Sequence, residues 1–153
     1  MDKSFEIMLQ HRKVFYHYLK TMSLATLNEI PKGFRNNIVW NIGHIIVTQQ
    51  MLVYRRSGLT TMVSDEVIDR YRRGTAPDGN ATDEEVDALK KLLFTTVEKT
   101  TGDYQLGVFQ EFDAYTTTTK VTLNSVEDAI LFNNFHEGLH LGAIISLQKV
   151  VAH

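Results

Sequence analysis

Proline occurs only twice in the 153 residues, at Pro31 and Pro77, and both fall where helical patterning pauses. A proline inside a helix removes a hydrogen bond and clashes with the preceding turn, so its scarcity leaves long stretches free to be helical. Four such stretches carry the helical period. The first runs from about Lys3 to Met22, with Phe5, Met8, Leu9, Phe15, Leu19 and Met22 at helical spacing and Lys3, Glu6, Arg12 and Lys13 as a wet face. The second runs from about Asn36 to Ser57, with Gly58 as its stop. Its isoleucines and valines would suit a strand, but its length and lack of strict alternation predict a buried helix. The third opens at Thr82-Asp83-Glu84-Glu85, a capping box in which the threonine hydroxyl and the glutamate carboxylate satisfy orphan amides. Its inner stripe is Val86, Leu89, Leu93, Thr96 and Val97, and a break is expected around Thr101-Gly102, with a further turn or two over Tyr104 to Phe112. The fourth opens with a second capping box at Ser125 to Asp128 and continues to about Val150.

The joints are less regular. A long connection, roughly Leu59 to Ala81, carries DRYRRGTAPDGNAT and no assigned element. YTTTTKVTL, Tyr115 to Leu123, reads as a linker with local strand character. Together these features predict one all-α domain over residues 1–153, a four-helix bundle with a long connection between its second and third helices.

Composition narrows the function. At 43% hydrophobic and 22% charged, the chain has material for a core without covalent staples. Sixteen basic and eighteen acidic residues give a net charge of −2, so nothing in the overall charge favours nucleic acid or anionic membrane as a partner. Cysteine is absent, which excludes disulfides, thiolate metal sites and a cysteine nucleophile, and fits a cytoplasmic protein. The opening MDKSFEIMLQHRK is charged from its second residue and lacks the apolar core of a signal peptide. No run approaches the ~18 uninterrupted apolar residues of a membrane span.

The stretch FHEGLHLG, Phe135 to Gly142, places His136 and His140 four apart on a helix face that Ala129, Phe132, Ala143 and Leu147 extend. HEGLH matches the zinc-peptidase signature literally. The extended form of that motif would need glycine at position 143 and histidine at 146, where Ala143 and Ser146 stand, and no strand-rich half is expected to hold a peptide. Upstream, VWNIGHIIV puts His44 in the middle of the second helix, with Trp40, Val47, Thr48 and Met51 on its side. His44, His136 and His140 are therefore expected to converge, either as ligands of one divalent ion, nickel or zinc by ligand type and affinity order, or as ordinary core histidines. His11, His17 and His153 read as surface residues.

WNIGHI and FHEGLHLGAI, in that order, resemble the DinB/YfiT-like superfamily of bacterial four-helix-bundle metalloproteins, from about Asn36 to the C-terminus. In that family a histidine midway along the second helix joins an HxxxH pair on the last. Ala143 stands where many members carry glutamine after the glycine. The resemblance implies a bundle, a divalent metal held by His44, His136 and His140, and frequent homodimers. It leaves the reaction open: relatives resemble thiol-cofactor S-transferases, mycothiol-dependent isomerases or hydrolases.

Three histidines leave a coordination position open, as catalytic zinc sites do, where a water or a thiol would ionise near neutral pH. With no cysteine in the chain, a thiol would have to come from a low-molecular-weight cofactor. Two function classes follow: a metal-dependent S-transferase or hydrolase acting on a small molecule, or a non-enzymatic metal-binding bundle of structural or regulatory role. Glu137 is either a general base, a partner behind the ligands or a solvent-facing helix residue, and Asn41 and Asn133 either orient imidazoles or line the pocket. Gly43, Gly138 and Gly142 suggest close helix approach or room for a ligand. Arg55, Arg56, Arg70, Arg72 and Arg73 could bind the carboxylates of an anionic thiol; with Asp65, Glu66 and Asp69 nearby, a solvated loop and helix end is the expectation.

Overall fold

The computed structural model describes residues 1–151, which are predominantly helical. Helices α1 (Asp2–Thr21), α2 (Leu24–Asn28), α3 (Ile38–Val53), α4 (Asp65–Tyr71), α5 (Asp83–Gln105) and α6 (Val126–Val151) are joined by loops and by one small antiparallel hairpin, β1 (Tyr115–Thr116) with β2 (Thr122–Leu123). Tyr115 pairs with Leu123 and Thr116 with Thr122. No helix among the described residues is long and apolar enough to cross a membrane. His153 lies outside the described residues.

The helix ends follow the sequence. Asn37 Oδ1 accepts the Trp40 amide at 2.8 Å, Thr82 Oγ1 that of Glu85 at 3.2 Å and Ser125 Oγ that of Asp128 at 3.2 Å. After α3 a 3-10 turn at Arg55–Ser57 closes on Gly58, whose φ of 69° lies in the left-handed region that glycine adopts without strain. Four expectations need correction. The connection after α3 is not without structure, since α4 forms in it, started by a Ser64 cap. A short helix, α2, precedes α3. No break occurs at Thr101-Gly102; α5 continues to Gln105, and the hydroxyls of Thr100 and Thr101 bond back to the carbonyls one turn earlier. The Glu85 carboxylate does not complete a capping box but turns to the Tyr71 hydroxyl and Arg70.

Helix α3 packs on α6, α5 and α4, and α1 packs on α5 and α6. Fourteen of the sixteen residues of α3 are buried, which its all-round apolar sequence requires. The core divides into two apolar clusters. One gathers Phe15, Leu19, Ile42, Ile46, Leu93 and Leu147, and the other Met8, Leu52, Val53, Val97, Ala129 and Ile130. On each long helix, polar residues stand between the two: Arg12 on α1, Gln49 on α3, Thr96 and Thr100 on α5, and Asn133 and Glu137 on α6. Arg12, expected on the wet face of α1, is fully buried in this layer. Its Nε and Nη2 donate to Glu137 Oε1 at 3.0 and 2.7 Å, and Asn133 Nδ2 donates to the same oxygen at 2.9 Å. Gln49 Nε2 donates to Thr100 Oγ1 at 2.7 Å.

Candidate metal centre

The helical period that turns His44 inward on α3 and His136 and His140 inward on α6 brings the three rings together. Their centroids lie 5.2 Å apart for His44 and His136, 4.8 Å for His44 and His140, and 4.5 Å for His136 and His140. One ring nitrogen from each falls within 4.8 Å of the others, a spacing that could hold a metal ion. Trp40 stacks on His44 at 4.7 Å with an interplanar angle of 9°, closing one side of the group.

Two of the rings have their protons fixed. His44 Nδ1 lies 2.7 Å from the Tyr71 carbonyl oxygen, which can only accept, so Nδ1 carries the hydrogen and Nε2 keeps its lone pair, 3.4 Å from the Thr48 hydroxyl. His140 Nδ1 lies 2.7 Å from Asn41 Oδ1. The orientation of that amide is set by its nitrogen, which donates to Asn36 Oδ1 at 3.0 Å and the Asn37 carbonyl at 2.7 Å. His140 therefore also presents an unprotonated Nε2. His136 Nδ1 is buried without a partner.

All three imidazoles resist protonation. Burial lowers the His44 pKa against the opposing hydrogen bond to Tyr71. Burial, then repulsion from His140 and His44, pushes His136 down to about 3. Burial and His44 bring His140 down to about 4, with Glu137 acting in the opposite direction. At neutral pH the group offers uncharged nitrogen bases, the form that ligates a metal.

The hold on His44 depends on Gly43. A Cβ at that position would lie 2.3 Å from Tyr71 Cδ1, so only glycine lets the α4 tyrosine sit against α3 and bring its carbonyl to the histidine. A Cβ on Gly138 or Gly142 meets nothing within 4 Å, so neither marks a close helix approach. Glu137, expected as a base, a partner behind the ligands or a solvent-facing residue, is fully buried and turned into the Arg12 layer. Burial raises its pKa, but the Arg12 charge and the hydrogen bonds it receives outweigh this and hold the carboxylate ionised. Asn133 serves Glu137 and makes no bond to an imidazole.

In front of the histidines lies a cavity of about 380 Å³. His44 and His136 line it together with Val47, Met51, Phe132, Phe135 and Leu139. Arg55, Arg56, Arg72 and Arg73 also line it, with Arg55, Arg72 and Arg73 exposed as a solvated loop and helix end would be; Arg70 does not line it, being bound to Asp78 and Glu85.

The family profile of the DinB superfamily matches residues 7–144, a span that includes all three histidines. The chain belongs to the DinB superfamily. No curated protein matches it. A divalent ion suits the donor set of this DinB-superfamily site on its own evidence: two tautomers fixed with an unprotonated Nε2, one orphaned imidazole nitrogen, and depressed basicity in all three rings.

Sequence reasoning missed His11 and the Tyr71 carbonyl. His11, taken as surface, is half-buried with Nδ1 3.6 Å from Glu137 Oε2, just beyond hydrogen-bonding distance. The signal for Arg12 was present, because Phe5, Met8, Arg12, Phe15 and Leu19 form one inward stripe. Nothing local marks Tyr71, whose role comes from where α4 docks.

Proposed function

We propose that this chain is a divalent-metal-dependent enzyme, a single four-helix-bundle domain in which His44, His136 and His140 hold one nickel or zinc ion. The observation that carries the reading is the set of three unprotonated imidazoles, two with fixed tautomers, beside a cavity of about 380 Å³. Three protein ligands leave a position open, and the ion would act there as a Lewis acid that acidifies a water or a thiol. The chain's own residues do the rest. Tyr71 and Asn41 orient His44 and His140, Trp40 shields His44, and Phe132, Phe135 and Leu139 give the cavity an apolar side. Glu137 acts as a fixed negative charge behind His140; its Oε1 is occupied by Arg12 and Asn133, which disfavours a base role. The reaction proposed is S-transfer from a low-molecular-weight thiol or hydrolysis of a small molecule, in the cytoplasm. A homodimer is part of the same proposal, supported by Leu131, Phe135, Leu139 and Ile145, which stand exposed on α6. Light scattering at twice 17.5 kDa is expected, and a monomer at high micromolar concentration would remove it.

Elemental analysis of tag-free protein tests the site. Wild type should carry about one equivalent of metal at neutral pH, and His44→Ala, His136→Ala and His140→Ala should each lose most of it while keeping helical circular dichroism. A wild type that takes up no metal, or three variants that bind as tightly as wild type, would defeat the reading. Tight binding without turnover of thiol, ester or amide substrates would leave the non-enzymatic bundle in its place.

A further inference from the structure

The cavity beside the histidines is charged as well as apolar. Arg55, Arg56, Arg72 and Arg73 line it, against one acidic residue, Asp113. The chain as a whole carries a net charge of −2, so this concentration of positive charge does not come from composition. The four come from two separate places: Arg55 and Arg56 from the turn that ends α3, and Arg72 and Arg73 from the residues that follow α4. Thr75 fixes the second pair, since its hydroxyl bonds the Arg72 carbonyl at 2.8 Å and receives the Trp40 indole N–H at 3.1 Å.

The arginines are not equally engaged. Arg56 is committed, with Nη1 2.7 Å from Asp113 Oδ2 and its guanidinium 4.3 Å from the centre of the Tyr115 ring. Arg72 Nε bonds Asp69 at 3.1 Å. Arg55 stands 3.9 Å from Asp65, whose side chain is almost fully exposed, which leaves its donors to water. Arg73 has no ion pair among the described residues. Arg55 and Arg73 therefore line the cavity with donors to spare, together with its apolar side chains.

We propose that this cavity binds a small molecule with an oxyanion, carboxylate or phosphate, at one end and an apolar body behind it. Arg55 and Arg73 take the oxyanion, as the guanidinium fork suits both groups. Met51, Phe132, Phe135 and Leu139 cover the body, and the far end meets His44 and His136. A cavity of this size lies at the small end of ligand pockets, which fits a compact molecule and not a peptide. The proposal deepens the metal-site reading by naming its substrate class, but the recognition itself needs no metal.

The test uses that separation. Octanoate, octyl phosphate and neutral octanamide are titrated calorimetrically into tag-free wild type, both metal-loaded and metal-stripped, and into Arg55→Met/Arg73→Met. At least one of the two anions should bind metal-stripped wild type at least tenfold more tightly than octanamide, and more weakly as salt rises. Which anion binds identifies the head group. The double variant should bind both anions no better than octanamide while keeping its helical signal, its metal content and its weak octanamide binding. The variant Lys91→Met, exposed on α5 and outside the cavity lining, should behave as wild type. Equal binding of anions and octanamide to wild type, no binding of any probe, or full anion binding by the double variant would overturn the proposal. Anion binding seen only with metal loaded would assign the oxyanion to the ion and overturn the arginine assignment, without touching the metal site. A protein that takes no metal yet discriminates anions through the two arginines would overturn the metal reading alone.

Discussion

Two sets of buried polar side chains share α6, on neighbouring faces, and they differ in whether their charges close. Arg12 and Glu137 sit fully buried and in contact, with three hydrogen bonds converging on Glu137 Oε1. His44, His136 and His140 gather as closely, yet the group contains neither a shared proton nor an acid to pair with. The first set pairs its two charges within the chain, although Glu137 Oε2 and Asn133 Oδ1 have no hydrogen-bond partner; the second collects bases and presents them to a cavity. Burial alone therefore does not mark a functional group; a cluster of like groups with no opposing charge, set at a cavity, does.

The sharpest way to break the contrast is to unbalance the balanced set. Arg12→Met leaves the Glu137 carboxylate buried with only Asn133 for support, and should cost about 3–5 kcal/mol in urea unfolding. Arg12→Met/Glu137→Met should recover most of that, since an apolar pair of similar volume carries no desolvation penalty. A loss below about 1 kcal/mol for the single variant would mean that solvent reaches Glu137.

Acid should separate the sets without mutation. The folded-state pKa values of His136 and His140, about 3 and about 4, lie below the unfolded 6.5. On acidification the unfolded chain therefore takes up protons first. Stability is complete above pH 6.5 and is lost as pH falls from there toward about 4. Two such groups should remove about 4 kcal/mol from the metal-free protein between pH 7 and pH 5. Glu137, whose pKa is also lowered, contributes stability that is complete above its unfolded value and is lost as pH falls below it, in a window that opens at lower pH than that of the histidines. Denaturant midpoints of metal-free protein across this range should fall, and fall less in His136→Ala. Parallel pH profiles for the two would assign the loss elsewhere.

Supplying the missing charge is a gentler change. Zinc or nickel at a hundred times its dissociation constant should stabilise wild type by about 2.7 kcal/mol, because it binds the folded state preferentially. His136→Ala, which removes a ligand and no packed charge pair, should show a similar metal-free melt to wild type but almost no response to the ion. The smallest effect expected is that of Gly43→Ala, about 1–3 kcal/mol from overpacking against Tyr71. It should also weaken metal binding by loosening the carbonyl that orients His44, read by competition with a chromophoric chelator. Unchanged affinity would show that His44 keeps its orientation without Tyr71.

How much of this was legible in the sequence follows from the range of each interaction. The four long helices and their caps are written in local periodicity and in Asn37, Thr82 and Ser125. The meeting of His44 with His136 and His140 follows from the same periodicity, because each lies on a face that must be buried. Helix α4 is seven residues long and exists because Ile68 and Tyr71 dock on α3, a contact that no local pattern announces. With α4 unseen, neither the Tyr71 carbonyl nor the placing of Arg72 and Arg73 at the cavity could be read. Arg12 was misplaced because its charge was weighed above its position on the apolar stripe of α1.

The burial of α3 also sets a clock. Nearly every residue of that helix is covered by other elements, so its amides have no partial opening that exposes them alone. They should exchange with deuterium only when the whole chain unfolds, which makes the backbone around His44 the slowest-exchanging part of the molecule and its exchange rate a direct reading of global stability.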